Sequence, residues 1–224
     1  MNRVPLWGGR MLLRWQVLAV TLLIAVSVLT VAIYWYSDLR SLKKPTWLEL
    51  DSFMVYEQAI TWADHQQFEN MIWEITKLED DTAIVHLISH GVDTSSGNVV
   101  ITTGEADWTV NAISREILNS SDHNYDGEKF PFWIEKDVGV GSSVDVLYGI
   151  NTISDSESIS VLGMQRDCWV VKYNWSASTM KRWYDKSSGI VLKIQVVLYR
   201  EDITVEITET AIQTNIDFQS TGSI

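Results

Sequence analysis

The stretch IVLKIQVVLYREDITVEIT, residues 190–208, decides the fold class. Ile190, Leu192, Ile194, Val196 and Leu198 are apolar at one parity, and Ile203, Val205 and Ile207 alternate with Thr204, Glu206 and Thr208. A period of two sends successive side chains to opposite faces of a pleated strand, so each segment reads as half-buried β. Further back, Met71, Trp73 and Ile75 alternate with Glu74 and Thr76, and clusters of Gly, Asn, Asp and Ser bound these runs. Trp47–Trp62 is ambiguous, because Phe53, Val55 and Tyr56 fit either a strand or a turn of amphipathic helix. The expectation is a mainly β chain built on an antiparallel sheet.

One segment breaks this pattern. Trp15–Tyr36 carries no charge. At roughly 1.5 Å per residue a helix of that length reaches about 33 Å, enough to cross a hydrocarbon core. It exceeds a signal-peptide core and ends in Ile33-Tyr34-Trp35-Tyr36 rather than small residues, so the reading is a retained anchor. Trp15, Tyr34, Trp35 and Tyr36 suit the interfacial aromatic belts. Arg3, Arg10 and Arg14 precede the span; Arg40, Lys43 and Lys44 follow it. The basic counts tie, but the first 14 residues contain no acid, and two glycosylation sequons, at Asn119 and Asn174, lie in the long part. The expected arrangement is cytoplasmic residues 1–14, a membrane span 15–36, a linker 37–46, an extracytoplasmic β domain 47–216 and a tail 217–224.

A self-comparison at an offset of 75 residues suggests two similar units, about 47–121 and 128–216. Ile72-Trp73-Glu74-Ile75 aligns with Leu147-Tyr148-Gly149-Ile150, Asp80 with Asp155 and Trp108 with Trp183. One residue of slippage then pairs Ile117-Leu118 with Val191-Leu192. Trp183-Tyr184-Asp185-Lys186-Ser187-Ser188-Gly189 reads as a strand end, a tight turn and a strand start, with Gly189 free to take positive φ. This hairpin, WYDKSSGIVLK, with RDCWVVKY upstream (residues 166–173), resembles that of single-pass envelope proteins of uncharacterised function, mostly archaeal. It is also distantly similar to hairpins of lipoprotein-carrier-like half-barrels. The first resemblance implies an anchored β ectodomain, the second a curved sheet that shelters acyl chains. No site residue follows from either.

The chain has 224 residues and a net charge of −12. Every acid lies after Ser37, which argues against nucleic acid as a partner and suits an exposed surface domain. The single cysteine, Cys168, permits no internal disulfide and lies in an apolar stretch, so a buried thiol is expected.

The best local motif is Asp122-His123-Asn124-Tyr125-Asp126-Gly127, which matches the first half of a D-x-N-x-D-G calcium loop. Position twelve is Trp133 instead of a bidentate glutamate. The stretch therefore reads either as a low-affinity calcium site of Asp122, Asn124 and Asp126, completed by Glu128 or Glu135, or as a plain Asx-type connection. His86 and His90 share one strand face but nominate no third zinc ligand. Trp175, in an expected loop, is the tryptophan best placed to stack on a ligand. No catalytic signature is present. The expected function is non-enzymatic binding or envelope structure, with other envelope proteins, glycans or lipid as partners; a lipid-binding half-barrel and a hydrolase with a hidden site are the alternatives.

Overall fold

The computed structural model describes residues 43–94, 98–121, 123–147, 149–199 and 203–218. The anchor run Trp15–Tyr36 lies outside these residues, and among the described residues no helix is long and apolar enough to cross a membrane. The described chain forms eleven strands: β1 (Phe53–Trp62), β2 (His65–Glu79), β3 (Thr82–Asp93), β4 (Val100–Asn111), β5 (Ile117–Asn119), β6 (Ser143–Val146), β7 (Gly149–Val161), β8 (Met164–Trp175), β9 (Ser178–Asp185), β10 (Val191–Tyr199) and β11 (Thr204–Thr214). They make one sheet in the order β5-β4-β3-β2-β1-β11-β10-β9-β8-β7-β6, with every pairing antiparallel. The ambiguous Trp47–Trp62 stretch resolves into a turn followed by β1. The first and second halves of the chain are two meanders joined edge to edge, where β1 pairs with β11 from Met54–Thr214 to Trp62–Val205.

The sheet is wrapped around the connection between its halves. Glu128–Ile134 bonds to two hairpins at once. Ile117 N donates to Glu128 O and Phe130 N to Arg115 O; four residues on, Val191 N donates to Phe132 O and Ile134 N to Gly189 O. In a flat sheet β5 and β10 would lie six strand spacings apart, about 29 Å, whereas four residues of extended chain reach about 13 Å. Both sets of bonds can form only if the sheet curls inward. The segment delivers Phe130, Phe132, Trp133 and Ile134 to the core, all buried. Phe130 lies 4.6 Å from Trp133 and 5.7 Å from Trp108 between ring centroids, Trp47 stands edge-on to Trp133 at 5.5 Å, and the Tyr184 hydroxyl donates to Pro131 O.

The hairpins that grip this segment share one hydrogen-bond pattern. Asn111 Oδ1 accepts from the N–H groups of Ile113 and Ser114; Asp185 Oδ2 accepts from those of Ser187 and Ser188. Arg115 N donates to Asn111 O, and Gly189 N to Asp185 O, both at 2.8 Å. Arg115 and Gly189 both have positive φ, 62° and 79°. These correspondences run at an offset of 74, which corrects the expected match of Trp108 with Trp183. Both tryptophans do precede a turn, but Trp108 faces inward onto Phe130, while Trp183 faces outward between Glu157, Lys181 and Lys193. A one-residue slip exchanges the faces of a strand. Nor does Asp80 match Asp155, since Asp80 is in the β2–β3 turn and Asp155 inside β7.

Arg115 joins the two ends of the sheet. Its side chain is 3 % exposed and all five of its N–H donors are used: Nε and Nη2 on Glu135, Nη1 on Phe130 O and Trp133 O, and Nη2 also on Asp145 O of β6. Arg115→Met should therefore lower stability by about 2–4 kcal/mol in urea denaturation, because buried carbonyls lose a charged donor. Gly189→Ala should cost a similar amount, since a Cβ there would collide with the Ile134 carbonyl oxygen at a positive φ. Gly163→Ala, also at positive φ but with open space around the added carbon, should cost only about 1 kcal/mol.

Candidate functional site

The side chains that touch the central segment define the inner face: Tyr56 on β1, Trp73 on β2, Trp108 on β4 and Tyr184 on β9. Moving by twos away from the segment gives Gln58, Ile60 and Trp62 on β1 and Arg182 and Met180 on β9. Directly opposed residues share a face. The register thus adds Glu209, Ile207 and Val205 on β11, Ile194, Val196 and Leu198 on β10, and Val171, Tyr173 and Trp175 on β8. On β2 the same rule gives Glu69, Gln67 and His65, and on β3 and β4 it gives Ser89 beside Gly104 and Gly91 beside Thr102. Beyond the core, one side is therefore apolar, with Ile207, Met180, Val196 and Leu198 half-buried, and β2, β3 and β4 carry polar residues and glycines there.

A row of polar groups crosses this face where the core ends. Gln58, 2 % exposed, opposes Glu209, which opposes Ile194, which opposes Arg182, 5 % exposed. Gln58 Nε2 donates to Glu209 Oε1 at 2.9 Å and to His90 O at 3.3 Å. Arg182 Nη1 donates to the Tyr173 hydroxyl at 3.3 Å, and its guanidinium carbon lies 5.3 Å from the centre of the Tyr173 ring. Trp175, 41 % exposed, stacks on the other end of this ladder, 5.7 Å from Tyr173 and nearly parallel to it. Burial raises the Glu209 carboxyl above its ordinary range, against the pull of Gln58 and the Arg182 charge. Burial also pushes up the Tyr173 hydroxyl.

The sequence-predicted residues fall elsewhere, apart from Trp175, which ends β8 instead of lying in a loop. Asp122 lies outside the described residues. Asp126 accepts from Ser120 N at 2.7 Å, Ser120 Oγ at 2.9 Å and His123 Nδ1 at 2.9 Å. His123 and then Ser120 hold its carboxyl below the usual range. Its oxygens thus serve a local turn. Asn124 and Glu128 are exposed, Glu135 is held by Arg115, and no cluster of three acidic, His or Cys metal-binding residues occurs among the described residues. Asn119 and Asn174 are exposed at the ends of β5 and β8. His86 and His90 share the outer face; His86 meets Asp107 and Glu105, and His90 bonds Thr103 and Asn70 O. Cys168 is buried, its thiol pushed up to about 12 by desolvation, so it is a poor nucleophile.

Gln58, Arg182 and Glu209 were missed, although a signal exists. Each breaks an apolar period-two run at the inward parity: Tyr56-Gln58-Ile60, Met180-Arg182-Tyr184 and Ile207-Glu209-Ala211. Compared with protein-family models and with characterised proteins, the chain matches none.

Glu209 carries a pH signature. Its folded-state affinity for protons exceeds that of the unfolded chain, so its contribution to stability is present below about pH 4.5 and is lost as pH rises through the raised folded value. Glu209→Gln removes that loss. Melting curves should show the variant level with the parent at pH 4 and above it at pH 7.5.

Proposed function

We propose that the β unit is a non-enzymatic binding module, displayed outside the cytoplasm on the Trp15–Tyr36 anchor, and that its ligand is apolar or amphiphilic. What carries the reading is the inner face beyond the central segment. Met180, Val196, Leu198 and Ile207 are half-buried there, beside Ile60 and Val205, which are fully buried. Half-covered aliphatic side chains on the inside of a curled sheet suit a hydrocarbon chain. The matched Asn111 and Asp185 hairpins support a further inference: the halves are two similar units at an offset near 74, clasped around the segment that links them.

The test is native mass spectrometry of the full chain extracted from its membrane. Lipid or fatty adducts should survive detergent removal in the parent protein. Ile207→Trp, which fills the apolar wall, should abolish them with little change in melting temperature. A parent protein free of adducts, after extraction that preserves its fold, would reject the reading.

A further inference from the structure

This inference rests on the proposed binding role of the inner face and concerns the polar end of the ligand. Two buried side-chain atoms in the row across β1, β11, β10 and β9 have no hydrogen-bond partner among the described residues: Gln58 Oε1, an acceptor, and Arg182 Nε, a donor. Both side chains are more than nine-tenths buried and face the interior. A polar atom buried without a partner has given up its water and gained nothing in return, so a bound group that pairs both atoms is favoured. Their surroundings restrict its charge. Glu209 opposes Gln58 on one side and Glu69 on the other, which disfavours an anionic head. The guanidinium of Arg182 disfavours a cationic one. The apolar wall begins at the next inward positions, Met180, Val196 and Ile207.

We propose that this row receives the uncharged, hydroxylated head of a single-chain amphiphile. A head hydroxyl donates to Gln58 Oε1, a head oxygen accepts from Arg182 Nε, and the chain runs over Met180, Val196 and Ile207 toward Trp62. A monoacylglycerol has this chemistry; a fatty carboxylate of the same length does not.

The experiment uses the full chain in nanodiscs of zwitterionic lipid and three photoprobes with the same diazirine-bearing chain: a monoacylglycerol, a fatty acid at pH 8 and a plain alkane. Labelled peptides are mapped by mass spectrometry. The monoacylglycerol should label β1, β9, β10 and β11 at least fivefold more than the fatty acid. Gln58→Leu and Arg182→Met should each lower monoacylglycerol labelling at least fivefold and leave alkane labelling unchanged, which also shows that the variants fold. Equal labelling by monoacylglycerol and fatty acid, or indifference of the monoacylglycerol to both variants, overturns the head-group assignment and leaves the binding role standing. Failure of the alkane to label the inner strands of the parent protein overturns both.

Discussion

The guanidinium of Arg115 is the constraint on which the rest of the β unit depends. An eleven-stranded sheet has two free ends, and hydrogen bonding between strands does not bring β5 to β6 here. The Arg115 side chain spans the gap, donating to Asp145 O on one side and to Phe130 O and Trp133 O on the other. Arginine suits this place because its planar fork presents five donors at once and keeps its charge when buried. Glu135, partly exposed, balances that charge without itself being sealed from water. The cost of desolvation therefore falls on one partner, and that partner is fully hydrogen-bonded.

Around this clasp, backbone and aromatic packing divide the work. The central segment satisfies the open carbonyl and N–H groups of both hairpins, which would otherwise lie unpaired against the core. Its aromatic side chains fill the space that the curl creates. Trp47 Nε1 donates to Ser188 O and the Tyr56 hydroxyl to Val191 O, so even the core's polar edges tie one half of the chain to the other. The inner face thus has a sealed end, held by aromatics and a buried arginine, and a second stretch where polar and aliphatic residues face each other.

Much of this was legible in the residues, for a physical reason. Alternation is local, so the strands around residues 71–75 and 190–208 could be read directly, as could the turn at Gly189. Curvature is not local: nothing in FPFWI announces that it will be embraced by two hairpins, because its partners are set by long-range register. The same limit explains the tryptophan pair. Trp108 and Trp183 look equivalent along the chain, but facing depends on parity, and the match is off by one. Asp122–Gly127 carried a strong short pattern, but the fold spends the Asp126 oxygens on Ser120 and His123. Gln58, Arg182 and Glu209 carried a weaker one, polar residues at inward positions of three strands, and their meeting in one row needed the pairing of β1 with β11.

That pairing has a consequence for the order in which the chain can fold. Arg115 and Phe130 are 15 residues apart and can meet early, whereas Tyr56 must wait for Val191, 135 residues later, and Phe53 for Asn215, 162 residues later. Closing loops of that span is slow, because the entropy is spent before the contacts return it. As the chain emerges, the first meander exists for a time with β1 as an open edge and its aromatic face half-clad, until β11, the last strand among the described residues, arrives to cover it. Such an edge is a template for wrong partners. The final strand therefore does more than add stability: it ends the interval in which the nascent chain is prone to aggregate, and truncations just short of it would leave most of the sheet present and its most adhesive edge exposed.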